Sequence, residues 1–136
     1  MVLSQAELEI WIRQENYRKP TVQVDDPEFH QGSIFAKSYL DFKFTVTPTE
    51  GSPYSSRHRF SEVETIRDKL KAKYVKLGVF VPAIPTKGIS QDGSNPNNLF
   101  AKERMRGLYL FCDQIFANPF LANDELWLNF LGAPSK

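Results

Sequence analysis

Hydrophobic residues recur with a period of two in the first half of the chain and of three to four in the second. Between Phe35 and Thr47, Ala36, Leu40, Phe42, Phe44 and Val46 share one parity, while Lys37, Asp41, Lys43 and Thr45 share the other. That alternation predicts a strand with one face in a core and the other in water. Pro48, Gly51 and Pro53 mark a turn, and Tyr54–Phe60 returns as the second strand of a hairpin. Upstream, Thr21–Val24 is strand-like, and Asp25-Asp26-Pro27 is expected to break it.

Val63, Ile66, Leu70 and Tyr74 then follow at helical spacing, predicting a helix over 62–74 with Ser61 and Glu64 placed as a capping box. Gly78 lies just beyond. In VFVPAIPTK, two prolines three apart exclude a helix and favour an extended, polyproline-like segment. Ile89–Asn98 reads as a loop, and a second helix is expected from Leu99 to Ala117, stopped by Asn118-Pro119. Asn123 or Asp124 can cap a third helix bearing Leu126, Trp127, Phe130 and Leu131, with Gly132 as terminator. At the other end, residues 6–17 can form a short helix with Leu8, Trp11 and Ile12 on one side, ended by Lys19-Pro20. Residues 1–19 are accordingly read as an extension, 20–132 as one domain and 133–136 as a tail. Strands come first and helices second. The expected fold is α+β: a three-stranded antiparallel sheet packed against a helical subdomain, with a proline-rich extended segment between the helices.

Composition narrows the functional classes. A chain of 136 residues, 41% hydrophobic and 24% charged, suits one soluble domain. The single cysteine, Cys112, excludes an internal disulfide and fits a reducing compartment such as the cytosol; in mid-helix beside Phe111 it reads as a small core residue. No run approaches the roughly 20 apolar residues of a membrane span, and MVLSQAELEIWIRQ lacks the basic start of a secretory signal. Membrane contact is therefore expected to be peripheral. His30, His58 and Cys112 fall in no metal-ligand or triad spacing, and no glycine-rich phosphate loop occurs, so no enzyme, metal or cofactor is expected. The basic stretch carries no stacking series of aromatics, which argues against nucleic acid.

Charge distribution changes the picture more than net charge does. Residues 1–30 carry three Lys or Arg against six Asp or Glu, whereas residues 57–76 carry seven against three. A basic face on a chain of net charge +1 suits one anionic surface, or is simply a solvated helix face. Within it, RHRF at 57–60 places three potential cations and a ring at a strand-to-helix junction, where orphan backbone N–H groups and the helix dipole favour anions. In the second helix, Arg104 lies in line with Leu108, Phe111 and Ile115. A guanidinium there must snorkel out, pair with a carboxylate such as Asp41 or Glu62, or receive a ligand anion. Arg106 falls on another face and is expected in solvent. Lys87 follows the stiff proline segment. Arg59, Lys87 and Arg104 together look like three cationic points around one pocket.

These residues carry a resemblance. Arg59-Phe60-Ser61-Glu62 resembles the R-[YF]-[ST]-[DE] signature of the phox-homology (PX) domain, and Val81-Pro82-Ala83-Ile84-Pro85-Thr86-Lys87 its Ψ-P-x-x-P-x-K stretch. Phe100 to Phe111 resembles its F-x-x-x-R-x-x-x-L-x-x-F helix, and NPFLANDELWLNFL looks like the closing helices of a sorting nexin. The fit covers residues 20–132. The resemblance implies a module that binds phosphoinositide headgroups, most often phosphatidylinositol 3-phosphate, on the cytosolic face of endosomes. Carried onto this sequence, it implies that Arg59 holds the 3-phosphate and Phe60 packs on the inositol ring. Lys87 would contact the 1-phosphate and Arg104 the 4- and 5-hydroxyls. Arg57 and His58 are expected at the rim; the family often has arginine where His58 stands and an aromatic where Val63 stands. Ile89 and Leu99 are candidates for insertion into the bilayer from a loop poor in aromatics, so a second attachment such as a coat or sorting-complex partner is expected. The alternative is a module of the same fold that binds protein, with weak or altered lipid preference.

Overall fold

The computed structural model describes residues 4–5, 16–85 and 99–134. Its alternating segment becomes the centre of a three-stranded antiparallel sheet, β1 (Thr21–His30), β2 (Tyr39–Thr47) and β3 (Tyr54–Arg59), in the order β1-β2-β3. Leu40, Phe42, Phe44 and Val46 of β2 are buried, as their parity requires. The strand begins at Tyr39 rather than Phe35, because Ser33 and Ala36 pair with each other and close a turn around Ile34 and Phe35.

β1 differs from expectation in the other direction: Asp25-Asp26-Pro27 does not end it. The register shifts between Asp25 and Glu28, so that Asp26 and Pro27 together oppose the single residue Phe42, which is a β-bulge. β1 is an edge strand, where the missing N–H of Pro27 is tolerated, and Asp26 takes the left-handed turn at φ +50° that a short polar side chain accepts.

Four α-helices follow among the described residues: α1 (Phe60–Tyr74), which runs on into a 3-10 turn at Val75–Leu77, α2 (Leu99–Phe116), α3 (Pro119–Ala122) and α4 (Glu125–Leu131). α1 starts two residues earlier than its hydrophobic spacing implies, directly from β3. Its N-cap is Arg59, whose backbone N–H donates to Glu62 Oε1 at 2.9 Å. Arginine has no acceptor to return the bond, so only half of a capping box forms, and Ser61 and Glu64 are not its members. α3 was not legible as a helix: Asn118, expected only to stop α2, accepts from Phe120 and Leu121 N–H and starts a new turn with Pro119 at its head. Asp124 caps α4 as expected, accepting from Trp127 N–H at 3.2 Å, and Gly132 ends it at φ +81°.

One core lies between the sheet and the helices. Phe42, Phe44 and Val46 meet Val63 and Leu70 of α1, Leu108, Phe111 and Ile115 of α2, and Trp127 and Leu131 of α4, all almost fully buried. Each such side chain contributes about 1.5–3 kcal/mol over leaving it in water. Cys112 is buried among them, and burial holds its thiol far above the ordinary value.

Asp124 also ties the far ends of α1 and α4 together. It is only 3% exposed and receives Lys73 Nζ at 2.6 Å and the Tyr74 hydroxyl at 2.7 Å. Burial pushes its pKa up, but these bonds and the Lys73 charge outweigh that and hold it below the ordinary value. Residues 17–19 pack onto the domain as well: the Tyr17 hydroxyl donates to Phe116 O, and Lys19 pairs with Asp113 at 2.7 Å.

Candidate functional site

The proline segment takes no helix or strand over 79–85, and two features clamp it between α1 and α2. Arg67 Nε of α1 donates to Pro82 O at 3.2 Å, beside the buried Val81 and Pro82. On α2, a Cβ added at Gly107 would lie 2.5 Å from Pro85 O. Only glycine lets the helix approach the segment this closely. Pro85, Phe100, Glu103, Arg104 and Gly107 then line an open cleft one turn from the start of α2.

Arg104 is the electrostatic anomaly of the molecule. Its guanidinium lies 3.6 Å from the centroid of Phe60 and 5.0 Å from that of Phe100, so two rings solvate the cation by their π faces. Nη1 is shielded from water and has no hydrogen-bond partner among the described residues. Neither Asp41 nor Glu62 pairs with it. Burial pulls its pKa below the ordinary arginine value, and the charge of Glu64 restores only part of the shift. A cation held this way presents unused donors to whatever enters.

Arg59 is reached through the same contacts, since Phe60 beneath Arg104 is its neighbour in sequence. Arg59 is exposed, makes no ion pair among the described residues, and rests its guanidinium 4.8 Å from the ring centroid of Tyr39. Phe60 is half-buried, and Arg104 already covers one face of its ring. Lys87 and Ile89 lie outside the described residues; Pro85 is the last described residue before them. Leu99, at the start of α2, is exposed.

Arg57 and His58, expected at the rim, are both engaged within the fold. Arg57 Nε and Nη2 donate to Asp41 Oδ1 at 3.0 and 2.7 Å, its Nη1 donates to Asp26 Oδ2 at 3.0 Å, and Glu28 lies 3.6 Å away. Burial lowers the pKa of this guanidinium, but the carboxylates outweigh it and the net shift is upward. Its charge is spent inside the fold. His58 pairs across from Phe42 on the core face, stacks on Phe130 at 3.8 Å and shares a bond with Ser56 Oγ at 2.8 Å. Burial pulls its pKa below 6.5, against weaker upward pulls from Glu62, the Phe130 backbone and Asp41. Arg67 and Lys73 are also engaged, with Pro82 and Asp124. Of the seven cations in 57–76, Arg59, Lys69, Lys71 and Lys76 make no ion pair among the described residues.

Glu28, His30 and Asp41 could offer three ligand atoms to a metal within 4.8 Å of one another. Arg57 already sits among them, so a divalent ion would have to displace a fixed guanidinium.

Two features escaped the sequence reading. Tyr39 was placed inside a strand, with no signal that its ring would meet Arg59 across the sheet. Ile34 and Phe35, the latter expected to open a strand, stand 92% exposed at the tip of the β1–β2 turn. That turn is a built object: Ser33 N–H donates to Ala36 O at 2.8 Å, Gly32 N–H to Ser38 Oγ at 2.8 Å, and Phe35 N–H to Ser33 Oγ at 3.1 Å. It projects from the end of the sheet that carries Tyr39 and Arg59. The hint available in sequence was two adjacent large apolar residues between glycine, serine and lysine.

A family model described as PX domain matches residues 47–134. Sorting nexin MVP1 of Kluyveromyces lactis is 30% identical over 118 residues, covering 84% of this chain and 22% of that protein. Sorting nexin 2B of Arabidopsis thaliana is 26% identical over 105 residues, covering 77% and 18% respectively. The chain thus spans about a fifth of the length of the curated relatives it matches. Among solved structures, a designed CISK-PX domain superposes with a TM-score of 0.60 at 28% identity, over 82% of this chain and 99% of that one. Among the described residues no helix is long and apolar enough to cross a membrane.

Proposed function

The chain belongs to the PX domain family, and from that premise we propose that it binds phosphatidylinositol 3-phosphate and so attaches peripherally to endosomal membranes in sorting or trafficking. The observation that carries this reading is Arg104: its shielded Nη1 finds no acceptor among the described residues, and its guanidinium is cushioned on Phe100 and on Phe60, the chain neighbour of the exposed Arg59. An entering headgroup supplies what the fold withholds. Its phosphate accepts from the planar fork of Arg59, and its ring hydroxyls accept from Arg104 while stacking beside Phe60. Lys87 adds a point charge for the 1-phosphate. A phosphate at the 4- or 5-position would occupy the space of those hydroxyls and lose their bonds, which is specificity by exclusion.

The membrane contact in this reading comes from both sides of the pocket. Ile34 and Phe35 enter the interface from the β1–β2 turn and Leu99 from the start of α2, with Ile89 as a further candidate. Lys69, Lys71 and Lys76 add salt-sensitive attraction to anionic lipid, of order 1 kcal/mol per charge close to the surface. The sorting nexin relatives support a place in trafficking, and a protein partner supplies the second attachment that a single headgroup pocket needs.

The test is sedimentation with vesicles holding each phosphoinositide in turn, using the wild type and Arg59→Ala. Binding to the 3-phosphate lipid, reduced at least tenfold by Arg59→Ala in a protein of unchanged melting temperature, is the expected result. Wild-type protein that ignores every phosphoinositide overturns the reading and leaves the protein-binding alternative.

A further inference from the structure

On the outer face of the sheet, side chains form a continuous column that ends at Arg59. The bulge turns Asp26 so that its carbonyl and carboxylate both receive Arg57, at 2.6 and 3.0 Å. Arg57 holds Asp41 by two bonds, and the other oxygen of Asp41 lies 2.8 Å from His30 Nε2. The His30 ring stacks on Tyr39, centroids 4.8 Å apart and planes inclined by 21°. Tyr39 in turn carries the Arg59 guanidinium at 4.8 Å. No hydrogen bond or ion pair among the described residues holds that guanidinium, so the Tyr39 ring is what restrains it.

We propose that Tyr39 is the positioning residue for Arg59, fixing the guanidinium for an incoming phosphate while leaving all its N–H donors free. The role rests on the phosphoinositide reading above. Its logic is that an exposed arginine carries a large rotamer entropy, which ordering on a ligand must offset. A carboxylate partner would restrain the side chain equally well, but would neutralise it and occupy the fork. An aromatic face restrains it through the cation and leaves the edge of the fork to the ligand. The contrast with Arg57, immobilised by carboxylates two residues earlier in the same strand, shows both options side by side. The His30 ring stacks on the same tyrosine and is itself held beside Asp41.

Tyr39→Leu, Tyr39→Phe and Arg59→Ala separate this role from others when soluble headgroup (inositol 1,3-bisphosphate) is titrated by calorimetry. Using the headgroup without vesicles removes any effect of Tyr39 in the lipid interface. Tyr39→Leu is expected to weaken binding about two- to fivefold, as an exposed cation–π contact implies, while Tyr39→Phe restores near-wild-type affinity at the same melting temperature. In the ligand-free protein, the Arg59 side-chain resonances should carry a ring-current shift that disappears in Tyr39→Leu. Arg59-dependent binding that Tyr39→Leu leaves unchanged, or an Arg59 side chain with no ring-current shift, overturns the positioning role alone. Headgroup binding that survives Arg59→Ala overturns the assignment of Arg59 itself, and the role of Tyr39 with it.

Discussion

Arg57 and Arg104 are both partly buried arginines, and the fold treats them in opposite ways. Arg57 has three carboxylates around it and every reason to stay where it is. Arg104 has two aromatic rings, a shielded nitrogen with no acceptor among the described residues, and a pKa pulled down by burial. Desolvating a cation is costly, and a fold that meets the cost with aromatic faces alone has left its directional bonds unmade. The first arrangement ties β1, β2 and β3 together; the second is the one the proposed headgroup site draws on. What separates them is the surroundings, for both occupy positions where sequence shows only a basic residue near apolar ones.

That contrast is broken most directly by removing each charge without removing bulk. Arg104→Leu is expected to cut vesicle binding by about ten- to a hundredfold, the equivalent of one lost charge-assisted bond or slightly more. Its melting temperature should hold or rise, since an apolar side chain on Phe60 and Phe100 needs no acceptor. Arg57→Leu should do the reverse. It strips Asp41 of two bonds and lowers stability by about 1–3 kcal/mol, the partial exposure of the network keeping the loss below that of a fully buried pair. Lipid affinity of the folded protein should change little. Denaturant melts and vesicle sedimentation on the same two variants decide the matter, and a matching pair of effects would mean the two arginines are not distinct.

Gly107→Ala sharpens the comparison by moving the wall beside Arg104 and leaving its charge intact. With a Cβ 2.5 Å from Pro85 O, helix and segment must part, at about 1–3 kcal/mol. Headgroup affinity should fall together with stability, whereas Gly51→Ala, where no atom lies within 4 Å of the added carbon but φ is +106°, should lower stability alone. A smaller effect is expected at the β1–β2 turn: Phe35→Ser should weaken vesicle binding severalfold and leave soluble headgroup binding unchanged, which a calorimetric titration reads directly.

The smallest effect concerns His58. Its folded pKa is lowered, so the unfolded chain binds the extra proton first as the solution is acidified. The stability its neutral form contributes is complete above 6.5 and is lost as pH falls below that value. Melting temperatures from pH 7.5 to 5.5 should decline less in His58→Phe, which keeps the stack on Phe130, than in the wild type. An identical decline would show that His58 is not among the groups being titrated.

Much of this protein was legible in its residue pattern because periodicity reports local geometry. The parity of Leu40, Phe42, Phe44 and Val46, the spacing of Val63, Ile66, Leu70 and Tyr74, and the caps Asp124 and Gly132 each depend on a few neighbouring residues, and each appears where expected. The motifs around Arg59, Pro82 and Arg104 were likewise visible, because backbone turns and prolines constrain short stretches. Local rules erred where two competed. Asp25-Asp26-Pro27 is a turn signal, but pairing with β2 on both sides absorbs it as a bulge; Asn118-Pro119 stops one helix and, as cap and first residue, starts another.

Which cations are spent and which remain available could be decided only by folding. Arg57, Arg59, Arg67 and Arg104 look alike in the chain, yet one meets carboxylates sixteen to thirty-one residues away, one a tyrosine across the sheet, one a proline carbonyl and one a pair of aromatic rings. The physical reason is range. Backbone conformation is set by neighbours in sequence, whereas the state of a charge is set by neighbours in space, and those are brought together by a core that contains none of them.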